Sequence, residues 1–510
     1  MVASNTSRIA KNTLLLYFRM LLTMGVTLYT SRVILNALGI EDYGIYNVVG
    51  GVVAMFGILS GSLSAAISRF ITFELGKGDL DKLKRIFCTS VNIQVILIAI
   101  ITILMETIGI WFLNNKMVIP EERLGAANWV FQFSVITFAL NLLSVPYNAV
   151  IIAHEKMAAF AYISIIDCTL KLIVAFIIAY NPFDRLVYYG LLIMIVGLIN
   201  RMMYAIYSKR HFEEATYRMI FDKGLMKEMF GFAGWNFIGS SASILRDQGG
   251  NMVLNLFFGP VVNASRGIAV QINSALHSFV NSFMTALNPQ ITKSYAQENH
   301  EYMMKLIFAG SRFSFFLLLL LSLPIFFSTH YILELWLKQV PEYSVVFVQL
   351  VMVFTLHESL ANPLITAMLA TANIKKYQIV AGGLNSLNLP VSYLLLYYGC
   401  EPYFVFITAI IFSFLVQAVR LWLLRDMINL DVLKYIKDVY GNVISVTAVA
   451  VTLPLVLCLK LQDGLQSFLL LSSLAIVCTS VAVFFVGCKK EERVFVLNKA
   501  KDFIQKHKKM

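Results

Sequence analysis

Charged side chains lie inside long apolar stretches of this sequence, where each needs a physical reason. A charged group at the middle of a bilayer costs about 3 kcal/mol on insertion scales, so such residues either neutralise one another or bind a solute that crosses the membrane. The candidate site residues of this kind are Arg19, Arg32, Arg69, Asp167, Lys171, Arg246, Asp247 and Glu358. They predict a polar binding cavity, and no residue is assigned a catalytic role.

Two of these residues have the spacing of one helix face. Asp167 and Lys171 are four residues apart, so they can form an ion pair on a helix. The pair is either neutralised locally or opens when a solute passes, and the sequence leaves both open. Arg246 and Asp247 are adjacent and can neutralise each other in part, whereas Arg69 is either an anchor at the inner surface or a ligand. Three arginines near the inner ends of apolar stretches are expected to reach the lipid headgroups: Arg201, Arg312 and Arg420.

A stripe of polar side chains follows one stretch at helical spacing. Its members are Asn273, His277, Asn281, Thr285 and Asn288, with steps of three or four residues. These steps place all of them on one helix face, which contacts either another helix or water. The large amides favour a water-filled cavity, and we include Asn273, His277 and Asn281 among the binding residues. The histidine alone does not establish proton coupling.

The composition identifies the solvent that surrounds these residues. Of the 510 residues, 58% are hydrophobic and 14% are charged. Soluble domains carry about 25% charged residues, and a soluble chain of this composition would expose large apolar patches. We therefore predict an all-α polytopic membrane protein. The six cysteines have no CxxC spacing and are interpreted as small apolar residues.

Apolar windows of about 20 residues predict fourteen transmembrane helices. They are 12–37, 44–73, 86–113, 125–152, 157–180, 186–208, 228–258, 263–292, 306–332, 344–371, 377–399, 403–425, 441–459 and 466–488. With a cytoplasmic amino terminus, 27 basic residues fall in inner segments. The outer loops contain Lys116, Arg123, Arg185, Arg266, Lys338 and Lys460. This bias predicts that both termini are cytoplasmic.

The two halves of the chain repeat one another weakly. Residues 33–36 resemble 252–255, and 84–87 resemble 305–308, at nearly constant offsets. Six helices followed by six in parallel orientation are typical of alternating-access transporters. The predicted organisation is an N-lobe (1–208), a cytoplasmic linker (209–227), a C-lobe (228–425), two additional helices (441–488) and a basic cytoplasmic tail (489–510).

Two known catalytic signatures are missing from the sequence. There is no GxxxxGK[ST] phosphate loop and no HExxH helix. No outer loop is long enough to form a catalytic domain. The sequence therefore predicts a protein that is not an enzyme and needs no cofactor or metal.

Several short motifs together resemble one family. They are the segment 31–39, the turn 41–46, the end of the second helix at 68–70, the loop 76–79, and Asp247 ahead of Gly259 and Pro260. The set is similar to the polysaccharide-biosynthesis flippases, a family that includes Wzx-type oligosaccharide flippases. These belong to a superfamily that also contains the lipid II flippase and multidrug-and-toxin extruders. The resemblance implies two six-helix lobes that open alternately to the cytoplasm and the periplasm.

The resemblance also implies a cargo. It would be an oligosaccharide on undecaprenyl pyrophosphate, moved from the inner to the outer leaflet of the bacterial cytoplasmic membrane for O-antigen, capsule or exopolysaccharide synthesis. Arg19, Lys171 and Arg246 would bind the pyrophosphate, and the polar stripe would suit sugar hydroxyls. Membrane lipids are expected partners, and nucleic acid is not. Coupling to protons or sodium, and contact with a polysaccharide polymerase and a chain-length regulator, are left open by the sequence.

Three alternatives are weaker. A cation-coupled multidrug antiporter of the same fold would need an excess of acidic groups in its cavity, whereas basic groups are in excess here. A lipid II flippase would share the fold and the anionic cargo. A membrane polymerase or ligase of polysaccharide would normally need a large outer loop.

Overall fold

The computed structural model describes residues 2–54, 57–115, 119–179, 184–337, 340–461, 464–494 and 497. The regular secondary structure of this part of the chain is helical, without a strand. The helices of the amino-terminal half are α1 (Val2–Ala54), α2 (Gly57–Lys77), α3 (Leu80–Leu104), α4 (Ile110–Asn115), α5 (Glu121–Ala153), α6 (Met157–Ala179), α7 (Arg185–His211) and α8 (Lys223–Ala296). Those that follow are α9 (His300–Phe327), α10 (Thr329–Leu337), α11 (Ser344–Ser359), α12 (Asn362–Ala370), α13 (Lys375–Ser386), α14 (Asn388–Tyr397), α15 (Phe404–Ile428), α16 (Val432–Tyr435), α17 (Asn442–Cys458) and α18 (Leu465–Ala482). This confirms the predicted all-α membrane fold.

Ten helical segments in the described ranges are long and apolar enough to cross a membrane. They coincide with the predicted windows from 86–113 to 186–208 and from 306–332 to 466–488. The other four windows fall within α1, α2 and α8, which are helical but are not among these ten. The number fourteen therefore stays a prediction.

The two longest helical runs each contain a break or a reversal. In α1, Gly39 has φ 82° and ψ 170°, which a glycine adopts without the steric cost that a side chain adds. In α8, the Arg266 guanidinium donates a hydrogen bond of 2.6 Å to the carbonyl oxygen of Asp247. A straight helix would separate residues nineteen apart by about 28 Å. The chain therefore turns back between these two residues.

The chain divides into two compact units. Unit 1 consists of Met1–Ser241, Thr285–Asn299 and Ala372–Lys375. Unit 2 consists of Ala242–Met284, His300–Thr371 and Lys376–Met510. The end of α8 thus belongs to unit 1, although the sequence assigns it to the C-lobe. The lobe boundaries drawn from the sequence stay a prediction.

Unit 1 is held together by apolar side chains between α1 and the helices α3, α5, α6 and α7. One cluster joins Val49 of α1 to Ile101 and Phe131, and another joins Ile34 to Ala175. Between membrane-spanning helices such side chains stabilise the fold through close van der Waals packing, because lipid tails are as apolar as the side chains themselves. The same helix α1 that carries Arg19 is therefore fixed against α6, which carries Asp167 and Lys171.

In unit 2, α17 and α18 pack against α9. The expectation that Arg312 of α9 reaches the headgroups is wrong. Its side chain is 2% exposed, and it hydrogen-bonds the Gly487 carbonyl oxygen at 2.7 Å and the Glu492 carboxylate at 2.6 Å. Arg420 is buried as well, and its guanidinium donates a hydrogen bond of 2.6 Å to the Tyr377 hydroxyl. These arginines connect helices inside the unit.

Candidate functional site

Arg19 lies in unit 1 on the face of α1 that meets α6. Its Nη1 donates a hydrogen bond of 3.3 Å to the Ser164 hydroxyl, and its guanidinium carbon lies 4.7 Å from the centre of the Phe160 ring. Its Nε is buried and has no hydrogen-bond partner among the described residues. Within that same part of the chain, no carboxylate lies at ion-pair distance from Arg19. Its charge is therefore supported by neutral groups only.

The ion pair anticipated from the i,i+4 spacing is present on α6. The ammonium of Lys171 lies 2.8 Å from the Asp167 carboxylate, and both side chains keep some exposure. Phe160, Ser164, Asp167 and Lys171 follow one another at steps of four, three and four, so they share one face of α6. Together with Arg19 this group, which we call the unit 1 cluster, has a formal charge of +1. An anion is attracted to such a group.

Arg246 occupies a different environment in unit 2. Its Nε lies 2.8 Å from Oδ1 of Asp247, and its Nη1 lies 3.3 Å from Oε1 of Glu358. The side chain is 11% exposed, and its guanidinium carbon lies 4.8 Å from the centre of the Phe354 ring. Two carboxylates thus neutralise this arginine.

Further polar groups surround the Arg246 pair. The second oxygen of Glu358 lies 3.8 Å from Nε2 of His277, and Asn273 accepts a hydrogen bond of 2.5 Å from Thr355. Arg266, which the topology prediction assigns to an outer loop, is buried and donates to the Asp247 carbonyl. Arg246, Asp247, Glu358, His277 and Arg266 form the unit 2 cluster, in which each cation has an oxygen partner.

The remaining predicted site residues are placed elsewhere. Arg69 is buried in unit 1, 4.7 Å from the centre of the Phe70 ring and 4.4 Å from that of Phe73. Asn281 is exposed on α8. The side chain of Arg32 lies outside the described part of the chain. The polar stripe is divided, because Thr285 and Asn288 belong to unit 1.

Sequence reasoning misses Ser164, whose hydroxyl orients Arg19. Its signal is its position on the same α6 face as Asp167 and Lys171. It also misses a buried carboxylate, Glu155, in the loop between α5 and α6. This side chain is 3% exposed and accepts hydrogen bonds from Gln290 at 2.6 Å and Lys293 at 2.9 Å. An isolated glutamate in a short loop gives no pattern that indicates such burial.

The same loop of unit 1 contacts the segment after α7. His154 Nε2 lies 2.5 Å from the Glu214 carboxylate, and the imidazole stacks on Phe212 with 4.2 Å between ring centres. Burial raises the pKa of Glu214, but hydrogen bonds from His154 and from backbone outweigh burial and hold that pKa below its usual value. The segment is therefore attached to the helical unit. In the described ranges, no group of three or more His, Cys, Asp or Glu side chains is arranged to hold a metal ion.

A family model described as "Polysaccharide biosynthesis protein" matches residues 9–295. Among curated proteins, the uncharacterized membrane protein EpsK of Bacillus subtilis (strain 168) is 19% identical over 289 residues. The match covers 56% of each protein, so the chain spans about half the length of this relative.

Solved transporter structures share the fold. A MATE protein in the straight conformation superposes with a TM-score of 0.71 at 13% identity, over 83% of this chain and 96% of that one. An outward-facing multidrug resistance MATE family transporter of the MOP superfamily gives 0.70 at 14% identity, over 82% and 96%. A MOP superfamily transporter from Pyrococcus furiosus gives 0.66 at 15% identity, with the same coverage. At these identities the likeness shows the fold alone.

Proposed function

Because the chain belongs to the polysaccharide biosynthesis protein family, we propose that it is a flippase for a lipid-linked oligosaccharide. It would move repeat units on undecaprenyl pyrophosphate from the inner to the outer leaflet of the bacterial cytoplasmic membrane. The oligosaccharide would then serve O-antigen, capsule or exopolysaccharide synthesis. The reaction is translocation, with no covalent bond made or broken, so the protein acts as a transporter and not as an enzyme.

The observation that carries this proposal beyond the family is the positive charge of the unit 1 cluster. A cation within a membrane-spanning unit costs free energy, and such residues typically pair with another group or bind a solute. At 4 Å, two opposite unit charges attract by about 4 kcal/mol in a partly screened protein environment, against about 1 kcal/mol in bulk water. The Arg19 guanidinium therefore suits the phosphate groups of a carrier lipid, which are the anionic part of the proposed cargo.

The polar residues of α8 support recognition of the sugars. Asn273, His277 and Asn281 offer amide and imidazole groups that pair with hydroxyls in either direction. Such groups can bind many hydroxyl-rich solutes, so they do not specify one particular sugar. They support an oligosaccharide as cargo and leave its composition to the experiment.

The topology of the proposal follows the basic residues. Both termini would be cytoplasmic, with an N-lobe (1–208), a linker (209–227), a C-lobe (228–425), two further helices (441–488) and a tail (489–510). A polysaccharide polymerase and a chain-length regulator are the proposed protein partners.

Reconstituted liposomes test the proposal directly. The purified chain is incorporated with a fluorescent polyprenyl diphosphate disaccharide, and a membrane-impermeant quencher reports how much of the probe reaches the outer leaflet. The proposal expects quenching beyond the half that is initially accessible, at a rate that depends on the protein. Protein-free liposomes and liposomes with the corresponding neutral polyprenol glycoside are the controls. Equal quenching in all three preparations would reject the function.

A multidrug antiporter is the second candidate, because solved structures with this fold include a multidrug resistance transporter. Such a protein needs a carboxylate that is free to bind a cation. In unit 2, Asp247 and Glu358 both engage Arg246. This pairing favours the oligosaccharide flippase. Export of a cationic dye that depends on Glu358 would favour the antiporter, and movement of lipid II in the liposome assay would favour a lipid II flippase.

A further inference from the structure

The arginines that the sequence treats as equivalent lie in opposite electrostatic settings. Arg19 contacts one hydroxyl and one aromatic ring, whereas Arg246 contacts two carboxylates. We infer that Arg19 binds the diphosphate of the carrier lipid and that Arg246 does not. This inference rests on the proposed function, and it names the residue that recognises the anionic group.

Arg19 has hydrogen-bond donors that the described part of the protein does not use. A guanidinium has five N–H donors in a planar fork that matches two phosphate oxygens at once. The structure gives this fork a single hydrogen bond, the 3.3 Å contact to Ser164, and Nε has no partner among the described residues. Because Nε is buried, the donors that an anion can reach are those of the two Nη groups, and it can reach them without displacing a protein carboxylate.

Two neutral side chains hold Arg19 in place. The Phe160 ring covers one face of the guanidinium, and the Ser164 hydroxyl fixes one edge. Both groups are neutral, so they orient the cation without reducing its charge. They are positioning residues. Lys171 lies on the same face of α6 but its charge is shared with Asp167, so it contributes less to anion binding.

Two carboxylates neutralise the charge of Arg246. Its Nε, Nη1 and Nη2 all face carboxylate oxygens, at 2.8 Å and 3.3 Å from Asp247 and at 3.3 Å from Glu358. A diphosphate that reached this guanidinium would have to displace one of these anions and would be repelled by the other. Arg246 therefore links α8 to α11 inside unit 2 and serves as a structural cation.

The test is a pair of identical substitutions, Arg19→Gln and Arg246→Gln, in the purified full-length chain in nanodiscs. Binding of farnesyl diphosphate is measured by microscale thermophoresis, with farnesol as the probe that lacks the anion. Loss of a charge-assisted bidentate contact is expected to raise the Kd for farnesyl diphosphate at least tenfold in Arg19→Gln, which corresponds to about 1.4 kcal/mol. Arg246→Gln is expected to stay within about threefold of the unchanged protein, because two carboxylates already neutralise the Arg246 charge. The affinity for farnesol should be unchanged in both.

Further variants cover the case in which a glutamine variant does not fold. Ser164→Ala is expected to weaken diphosphate binding in the same direction as Arg19→Gln, by a smaller factor. Glu358→Gln removes one carboxylate from Arg246 and should leave the Kd unchanged. An equal or larger loss in Arg246→Gln, a tenfold gain in Glu358→Gln, or equal affinities of the unchanged protein for farnesyl diphosphate and farnesol would overturn the inference.

The liposome assay separates this inference from the proposed function. Normal diphosphate binding through Arg19 in a protein that moves no lipid-linked sugar would reject the flippase and keep the binding site. Translocation that survives in Arg19→Gln would reject the binding site and keep the flippase.

Discussion

Replacing Glu155 by alanine should destabilise unit 1 more than any surface charge substitution. The carboxylate is 3% exposed and accepts from Gln290 at 2.6 Å and from Lys293 and Arg8 at 2.9 Å each. Removing one partner of a buried ion pair costs about 3–5 kcal/mol, because the other charge is left without its partner. The side chains of Lys293 and Arg8 are 20% and 50% exposed, so water can take over part of their solvation. We therefore expect about 3 kcal/mol for Glu155→Ala, the lower end of that range.

Titration with sodium dodecyl sulphate in mixed micelles, followed by circular dichroism, measures this loss in the full-length chain. Glu301→Ala is the matched control, because Glu301 also forms an ion pair, with Lys305 at 2.7 Å, but is 83% exposed. It should unfold with the unchanged protein. Glu155→Gln should lie between the two, since an amide still accepts the hydrogen bond from Gln290. Unfolding of Glu155→Ala together with Glu301→Ala would refute the interpretation of Glu155 as a buried ionic link.

Two further predictions concern packing and pH. In α2, Gly76→Ala would bring a Cβ within 2.9 Å of the Ala296 side chain. This overpacking should lower the free energy of unfolding by about 1–3 kcal/mol, which a melting assay would detect. Gly61→Ala is the control, because its Cβ would meet no atom within 4 Å and the substitution should be neutral or stabilising. The pKa of Glu214 is lower in the folded state than in the unfolded chain, so ionised Glu214 stabilises the folded state at pH values above the ordinary glutamate pKa. This stabilisation is lost as the pH falls through the lowered pKa of the folded state. The acid-induced loss of melting temperature should therefore be smaller in Glu214→Gln, and an identical pH profile would show that the His154 contact carries no stability.

Local spacing predicts a large part of this molecule. Long apolar windows locate the helices, because a bilayer requires about 20 apolar residues for each crossing. The step of four between Asp167 and Lys171 anticipates their 2.8 Å ion pair, and adjacency anticipates the contact of Arg246 with Asp247. These features depend on helix geometry alone, which a sequence displays directly.

Local spacing cannot predict ion pairs between residues that are distant in sequence. Glu358 pairs with Arg246 across 112 positions, and Glu492 pairs with Arg312 across 180. The expectation for Arg312 fails because a position near the inner end of a span gives no sign that a distant segment of the chain covers the side chain. The difference between Arg19 and Arg246 arises in the same way, since only tertiary packing determines which arginine meets a carboxylate.

The most direct test of the central claim is a deletion strain of the organism that carries this chain. Polyprenyl-linked lipids are extracted and identified by mass, and a lectin probes their membrane side on intact spheroplasts. The proposal predicts that a single oligosaccharide lipid accumulates and stays inaccessible to the lectin, and that the intact chain restores access whereas Arg19→Gln does not. An accumulated lipid that the lectin reaches would contradict the proposal, because translocation would then be complete without this protein.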